Sequence, residues 1–269
     1  MCVLAACGPG GRGGDGTADA PAALADAPPA VDMSRVYAHS GGTLYRMDAL
    51  TLSTIPIGPM AGIGTESLTD LAIDKDNHMV GITLDKLYSI DPATGAATLI
   101  KDLSQSARGF TSLSFVPDPA NPTADILISA NDQGDVFQID TSAGTATKIG
   151  SYGMTGAGKV VSSGDLIGVR NFGIYATVNV GTETNDYLAK IDPANGWKAT
   201  PLGTGTSHSK IFGLGFWGGK VYGFVDKGAT ANGGTMIQID PNTGASIDLS
   251  TSTIRWFGAA VGTNAPVIE

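Results

Sequence analysis

The chain has 269 residues, 42% of them apolar and 15% charged, with 38 glycines, 14 prolines and a formal charge of −9. So much glycine argues against helical bundles and coiled coils, the apolar share is enough for a core, and the acidic balance leaves little to meet nucleic-acid phosphates. The only cysteines, Cys2 and Cys7, stand at the N-terminus, which excludes a disulfide scaffold or a cysteine zinc site in the rest.

In chain order, residues 1–7 come first. Leu4-Ala5-Ala6-Cys7 resembles the bacterial lipobox, the lipidation site of lipoprotein signal peptides. The resemblance implies that Cys7 becomes the mature first residue and carries the lipid, its thiol being the nucleophile. Only six residues precede it, so a full leader would begin upstream of Met1. Residues 8–33 are rich in Gly, Ala, Pro and Asp and show no periodic apolar face. They read as a disordered linker that lets a folded head stand off a membrane. With no run of roughly 18 apolar residues, membrane contact is expected through the lipid only.

Residues 34–269 repeat. The segments Leu44–Asp48, Leu87–Asp91, Val136–Asp140, Leu188–Asp192 and Met236–Asp240 align, and their aspartates recur 43, 49, 52 and 48 residues apart. These periods fit propeller blades, and alternation such as Tyr88 and Ile90 on one face is strand periodicity. Asp91-Pro92-Ala93-Thr94-Gly95 and Asp240-Pro241-Asn242-Thr243-Gly244 are turn chemistry: Asp accepts local N–H bonds, Pro fixes φ, and Gly takes the left-handed return. The first copy, Asp48-Ala49-Leu50-Thr51-Leu52, has neither Pro nor Gly.

Around each anchor the order is inner strand, second strand, anchor strand and a short fourth strand. Inner strands fall at Leu71–Ile73, Leu113–Phe115 and Leu214–Phe216; that of the fourth blade, Gly158–Gly203, is not placed. The first anchor has no inner strand before it, whereas Ile254–Gly262 is a spare one at the C-terminus. The expected fold is therefore an all-β, five-bladed β-propeller of four-stranded antiparallel blades, closed by the C-terminal strand completing the N-terminal blade. A six-bladed ring with one degenerate blade and a dimer of open arcs satisfy the same spacings.

In this repeated unit the chain resembles uncharacterised secreted or lipoprotein β-propellers of bacteria that repeat Tyr-x-Ile-Asp-Pro-x-Thr-Gly. The resemblance implies a bacterial cell envelope location, lipid-anchored at the outer membrane or cell surface, or else secretion. It says little about activity, since propellers host many.

Chemistry-bearing motifs are sparse. His39, His78 and His208 form no metal-spaced pair, Asp74–His78 reads as a polar turn, and no nucleophile elbow appears. No catalytic residue, metal or cofactor is expected. One aligned column, just before the inner strands, holds Arg108, Lys210 and Arg255, with Phe110, Trp256 and Phe257 nearby. Cations converging on the channel mouth would focus the field on an anionic ligand, with the aromatics as a wall. The expected function is thus an envelope-anchored binding or interaction scaffold whose partner is a small anionic molecule or a protein. The alternative is a propeller hydrolase or lyase in the central channel, with Asp70 and Glu66 as candidates.

Overall fold

A computed structural model describes residues 36–48, 51–229 and 232–268. The lipidation site Cys7 and the linker 8–33 lie outside the described residues.

Five antiparallel sheets form a five-bladed propeller. The first blade contains Val36–His39, Thr43–Met47 and Thr54–Pro59, and Gly258–Val261 pairs along Val36–His39 as its innermost strand. Chain closure therefore takes the expected form, and it pairs an edge that would otherwise be open. The second blade runs Asp70–Ile73, Met79–Ile82, Lys86–Ile90, Ala97–Asp102; the third Ser114–Asp118, Asn121–Ala130, Asp135–Asp140, Thr145–Ser151. The fourth runs Gly158–Val169, Gly173–Val180, Tyr187–Asp192, Lys198–Pro201, with Met154–Thr155 added beside its first strand. The fifth runs Ile211–Trp217, Lys220–Asp226, Gly234–Ile239, Ser246–Ser252. The innermost strands touch one another in a closed cycle around the axis.

Each sheet is sandwiched between two others, which is why both faces of the strands are apolar. Leu214 and Phe216 pack with Val36, Ile167 and Trp256 in one cluster that joins several blades. Fully burying one such side chain is worth about 1.5–3 kcal/mol. In four blades the ladder between third and fourth strands shifts at the same place, at Leu44/Tyr45, Leu87/Tyr88, Val136/Phe137 and Met236/Ile237. A bulge there bends and twists the outer edge alike in each copy.

The recurrent aspartates build the hairpins at that edge. Asp91 accepts from Ala93 N at 2.9 Å and from Thr94 Oγ1 at 2.8 Å, while its carbonyl accepts from Gly95 N at 2.8 Å. Gly95 sits at φ +81°, a conformation cheap only for glycine. In the first copy Asp48 still accepts from Thr51 N at 2.8 Å, and Leu52 itself adopts φ +58°. Asp91→Ala is expected to cost about 1 kcal/mol in urea denaturation, the scale of a lost local cap. An unchanged midpoint would mean that Pro92 alone sets the turn.

Candidate functional site

The inner strands align at five equivalent buried apolar residues: Leu71, Leu113, Leu166, Leu214 and Ala259. The preceding position holds Asp70, Ser112, Asp165, Gly213 and Gly258, one per blade. All five backbone N–H groups of the first set point at two carboxyl groups. Leu71 N donates to Asp70 Oδ1 at 2.8 Å, Leu113 N to Asp70 Oδ2 at 2.7 Å, and Ala259 N to Asp70 Oδ1 at 3.2 Å. Leu166 N and Leu214 N donate to the two oxygens of Asp165. The donors come from all five blades, so the two side chains fasten the ring at its axis.

Both aspartates are fully buried and each feels the other's carboxyl group, an arrangement that favours a proton held between them. Burial pushes both well above the usual carboxylate range; for Asp70 the charge of Asp165 adds to this, while the N–H bonds work against it. Glycine opposite is a spatial need: a Cβ on Gly258 would lie 2.6 Å from both Asp70 Oδ1 and His39 Nε2. His39 is buried, and its Nδ1 donates to Ser40 O at 2.9 Å, because a carbonyl can only accept. Nε2 is then a bare acceptor without a partner, and burial holds the imidazole down to about 4. The Tyr152 hydroxyl, also buried beside Asp165, is pushed above its ordinary value by desolvation.

One residue further towards the strand entrances, the same superposition gives Thr69, Thr111, Gly164, Phe212 and Phe257. All five line a cavity of about 550 Å³ at the channel mouth, directly preceding the acid pair and its equivalents. The Phe212 and Phe257 rings lie near-parallel, 14° apart with centroids 6.4 Å apart. Glu66, Ser67, Thr83, Asp85, Ser162 and Ser163 complete the polar lining, and no Lys, Arg or His belongs to it among the described residues. Lys86 pairs with Glu66 Oε1. Glu66 Oε2 and the Ser162 and Ser163 hydroxyls are buried without a hydrogen-bond partner, and Ser162 as a whole is only 7% exposed.

The residues singled out by charge in the sequence lie elsewhere. Arg108 is exposed and donates from Nε to Ser104 O at 3.3 Å. Lys210 is exposed at φ +60°, its carbonyl accepting from Asp226 N. Arg255 grips buried Asp226 with two bonds of 2.8 Å and sits 5.1 Å over the Phe257 ring. That guanidinium, the largest influence, holds Asp226 below its ordinary range. Phe110 is buried edge-on to Phe137, and Trp256 is wedged edge-on between Tyr45 and Phe224. Strand alternation explains the split: Leu68, Phe110, Ile211 and Trp256 share the column that points between blades, whereas their successors face the axis. None of Arg108, Lys210, Arg255, Phe110 and Trp256 lines the cavity, whereas Glu66 and Phe257 do.

No family model and no curated protein matches the sequence. Solved structures do. A symmetrical protein, described under de novo evolutionary emergence shaped by folding constraints, is 17% identical with a TM-score of 0.50, the match covering 86% of this chain and 99% of that one. A protein of unknown function from Bacteroides thetaiotaomicron VPI-5482 is 15% identical with a TM-score of 0.49, over 70% of this chain and 52% of that one. The chain thus spans about half the length of that protein. A protein of unknown function from Bacteroides caccae is 7% identical with a TM-score of 0.46, over 84% and 97% of the two chains. At these identities the likeness concerns the fold alone.

Proposed function

We propose that this propeller is a binding protein whose ligand occupies the mouth cavity, displayed at the bacterial envelope through lipid on Cys7. The observation that carries the binding reading is the set of buried, unpartnered polar atoms, Glu66 Oε2, Ser162 Oγ and Ser163 Oγ, in a cavity to which every blade contributes. Buried polar atoms are nearly always satisfied, so three orphans in one cavity call for a partner that enters it. The axial acids are taken up by the scaffold, since every oxygen of Asp70 and Asp165 already accepts a backbone N–H, which favours binding over catalysis at the axis.

Thermal melts against a set of small polar and aromatic fragments test the reading. A ligand at a hundred times its Kd adds about 2.7 kcal/mol, which for a domain of this size raises Tm by roughly 5 °C or more. Phe257→Ala and Ser162→Ala should abolish the rise. Fragments that shift Tm equally in both variants would place binding elsewhere. Anchoring is tested separately, with the gene expressed together with its upstream region: Cys7→Ala should move the protein from the membrane pellet to the soluble fraction.

A further inference from the structure

We infer that the mouth cavity takes an organic cation, an ammonium group carried on an apolar or aromatic body; this rests on the binding reading above and names its ligand class. Six observations converge on it. The ionisable groups of the lining are Glu66 and Asp85, both acidic, with no basic side chain among the described lining residues. Lys86 engages Oε1 of Glu66, whereas Oε2 has no hydrogen-bond partner and lines the same cavity as the unpartnered hydroxyl of Ser162. An ammonium brings several donors and no acceptor, the complement of that pair.

The axis also repels anions. Five backbone N–H groups converging on one point would be an anion nest, but Asp70 and Asp165 already occupy it. An incoming carboxylate or phosphate would meet buried carboxyl groups instead of free donors. The Phe212 and Phe257 rings supply the aromatic surface, and Phe257 already holds the Arg255 guanidinium 5.1 Å from its centroid, so this ring is placed to stabilise positive charge. Leu84, 57% exposed at the rim, offers apolar surface for the body of the ligand. The chain's −9 charge would draw cations toward the mouth.

Calorimetry with three probes of one shape tests the class: 2-phenylethylammonium, the neutral 2-phenylethanol and the anionic 3-phenylpropanoate. The ammonium should bind about tenfold or more tighter than the alcohol, as a charge-assisted bond outweighs a neutral one, and the anion least. Glu66→Gln should erase most of that preference while leaving the alcohol's affinity in place, and Phe257→Ala should weaken both. The double variant Glu66→Gln/Lys86→Gln keeps the local charge balanced and should behave like the single one. If Glu66→Gln fails to fold, Asp85→Asn carries the same comparison. Equal or tighter binding of the alcohol or the anion, still sensitive to Phe257→Ala, would overturn the cation and leave the cavity as a binding site. If no probe and no fragment gave a heat sensitive to Phe257→Ala, both readings would fall together.

Discussion

Asp70→Ala is expected to cost about 3–5 kcal/mol, the largest loss available from one side chain here, because it breaks a buried network instead of trimming a surface. Three N–H donors, those of Leu71, Leu113 and Ala259, lose their acceptor together. Each buried orphan costs about 1–3 kcal/mol, though water entering from the mouth keeps the sum below simple addition. Asp165 would also keep a buried carboxyl group without its partner. Asp165→Ala strands two donors, Leu166 N and Leu214 N, and should cost less, about 2–4 kcal/mol. Asp70→Asn retains one carbonyl oxygen and should be milder still. Urea denaturation at pH 6 gives the order directly. A loss for Asp70→Ala below about 1 kcal/mol would show that the N–H groups find other acceptors and that the pair is no fastening.

The sequence was legible where its signals are local. Asp91–Gly95 and its copies announce hairpins by residue type alone, and alternation in Leu87–Ile90 announces the strand before them. Ring closure followed from a missing strand at one end and a spare one at the other. The fourth inner strand was hidden because Gly158–Val169 breaks its ladder between Ser162 and Leu166, so no clean alternation survives. Asp165 lies just inside that break; a charged residue in mid-strand reads as surface until the N–H groups of Leu166 and Leu214 are seen to bury it. The axial column is silent in the sequence for a related reason. Charge marks Arg108, Lys210 and Arg255, whereas the axial column is chemically mixed, Asp, Ser, Asp, Gly, Gly. What identifies it is position: each of the two acids precedes a leucine of an inner strand, at the place where the other blades carry Ser112, Gly213 and Gly258.

Stability should fall, not rise, as pH is raised above about 5, and His39→Gln should make the fall steeper. Asp186 accepts from Ile211 N and Asn179 Nδ2, both at 2.7 Å, and burial pushes it up to about 6. A carboxyl with a raised folded-state pKa stabilises fully below its unfolded value near 4, and the benefit is lost as pH climbs to 6, about 3 kcal/mol at most. His39, held down to about 4 by burial, acts oppositely: the unfolded chain protonates near 6.5, so stability is lost as pH falls from there toward 4, again by about 3 kcal/mol. The two nearly cancel between pH 4 and 6. The proton shared by Asp70 and Asp165 is left over, and retaining it on folding costs about 1.4 kcal/mol per pH unit above the unfolded range. Removing His39 takes away the fully buried compensating group and leaves only half-buried His208, which burial also holds below its ordinary value, so the slope between pH 4.5 and 6 should steepen markedly. Urea midpoints at pH 4.5, 5.5, 6.5 and 8 for both proteins measure this. A wild-type midpoint that climbs steadily to pH 8 would mean that both central carboxyl groups are ionised in the folded ring, each held by its N–H donors against the repulsion of the other.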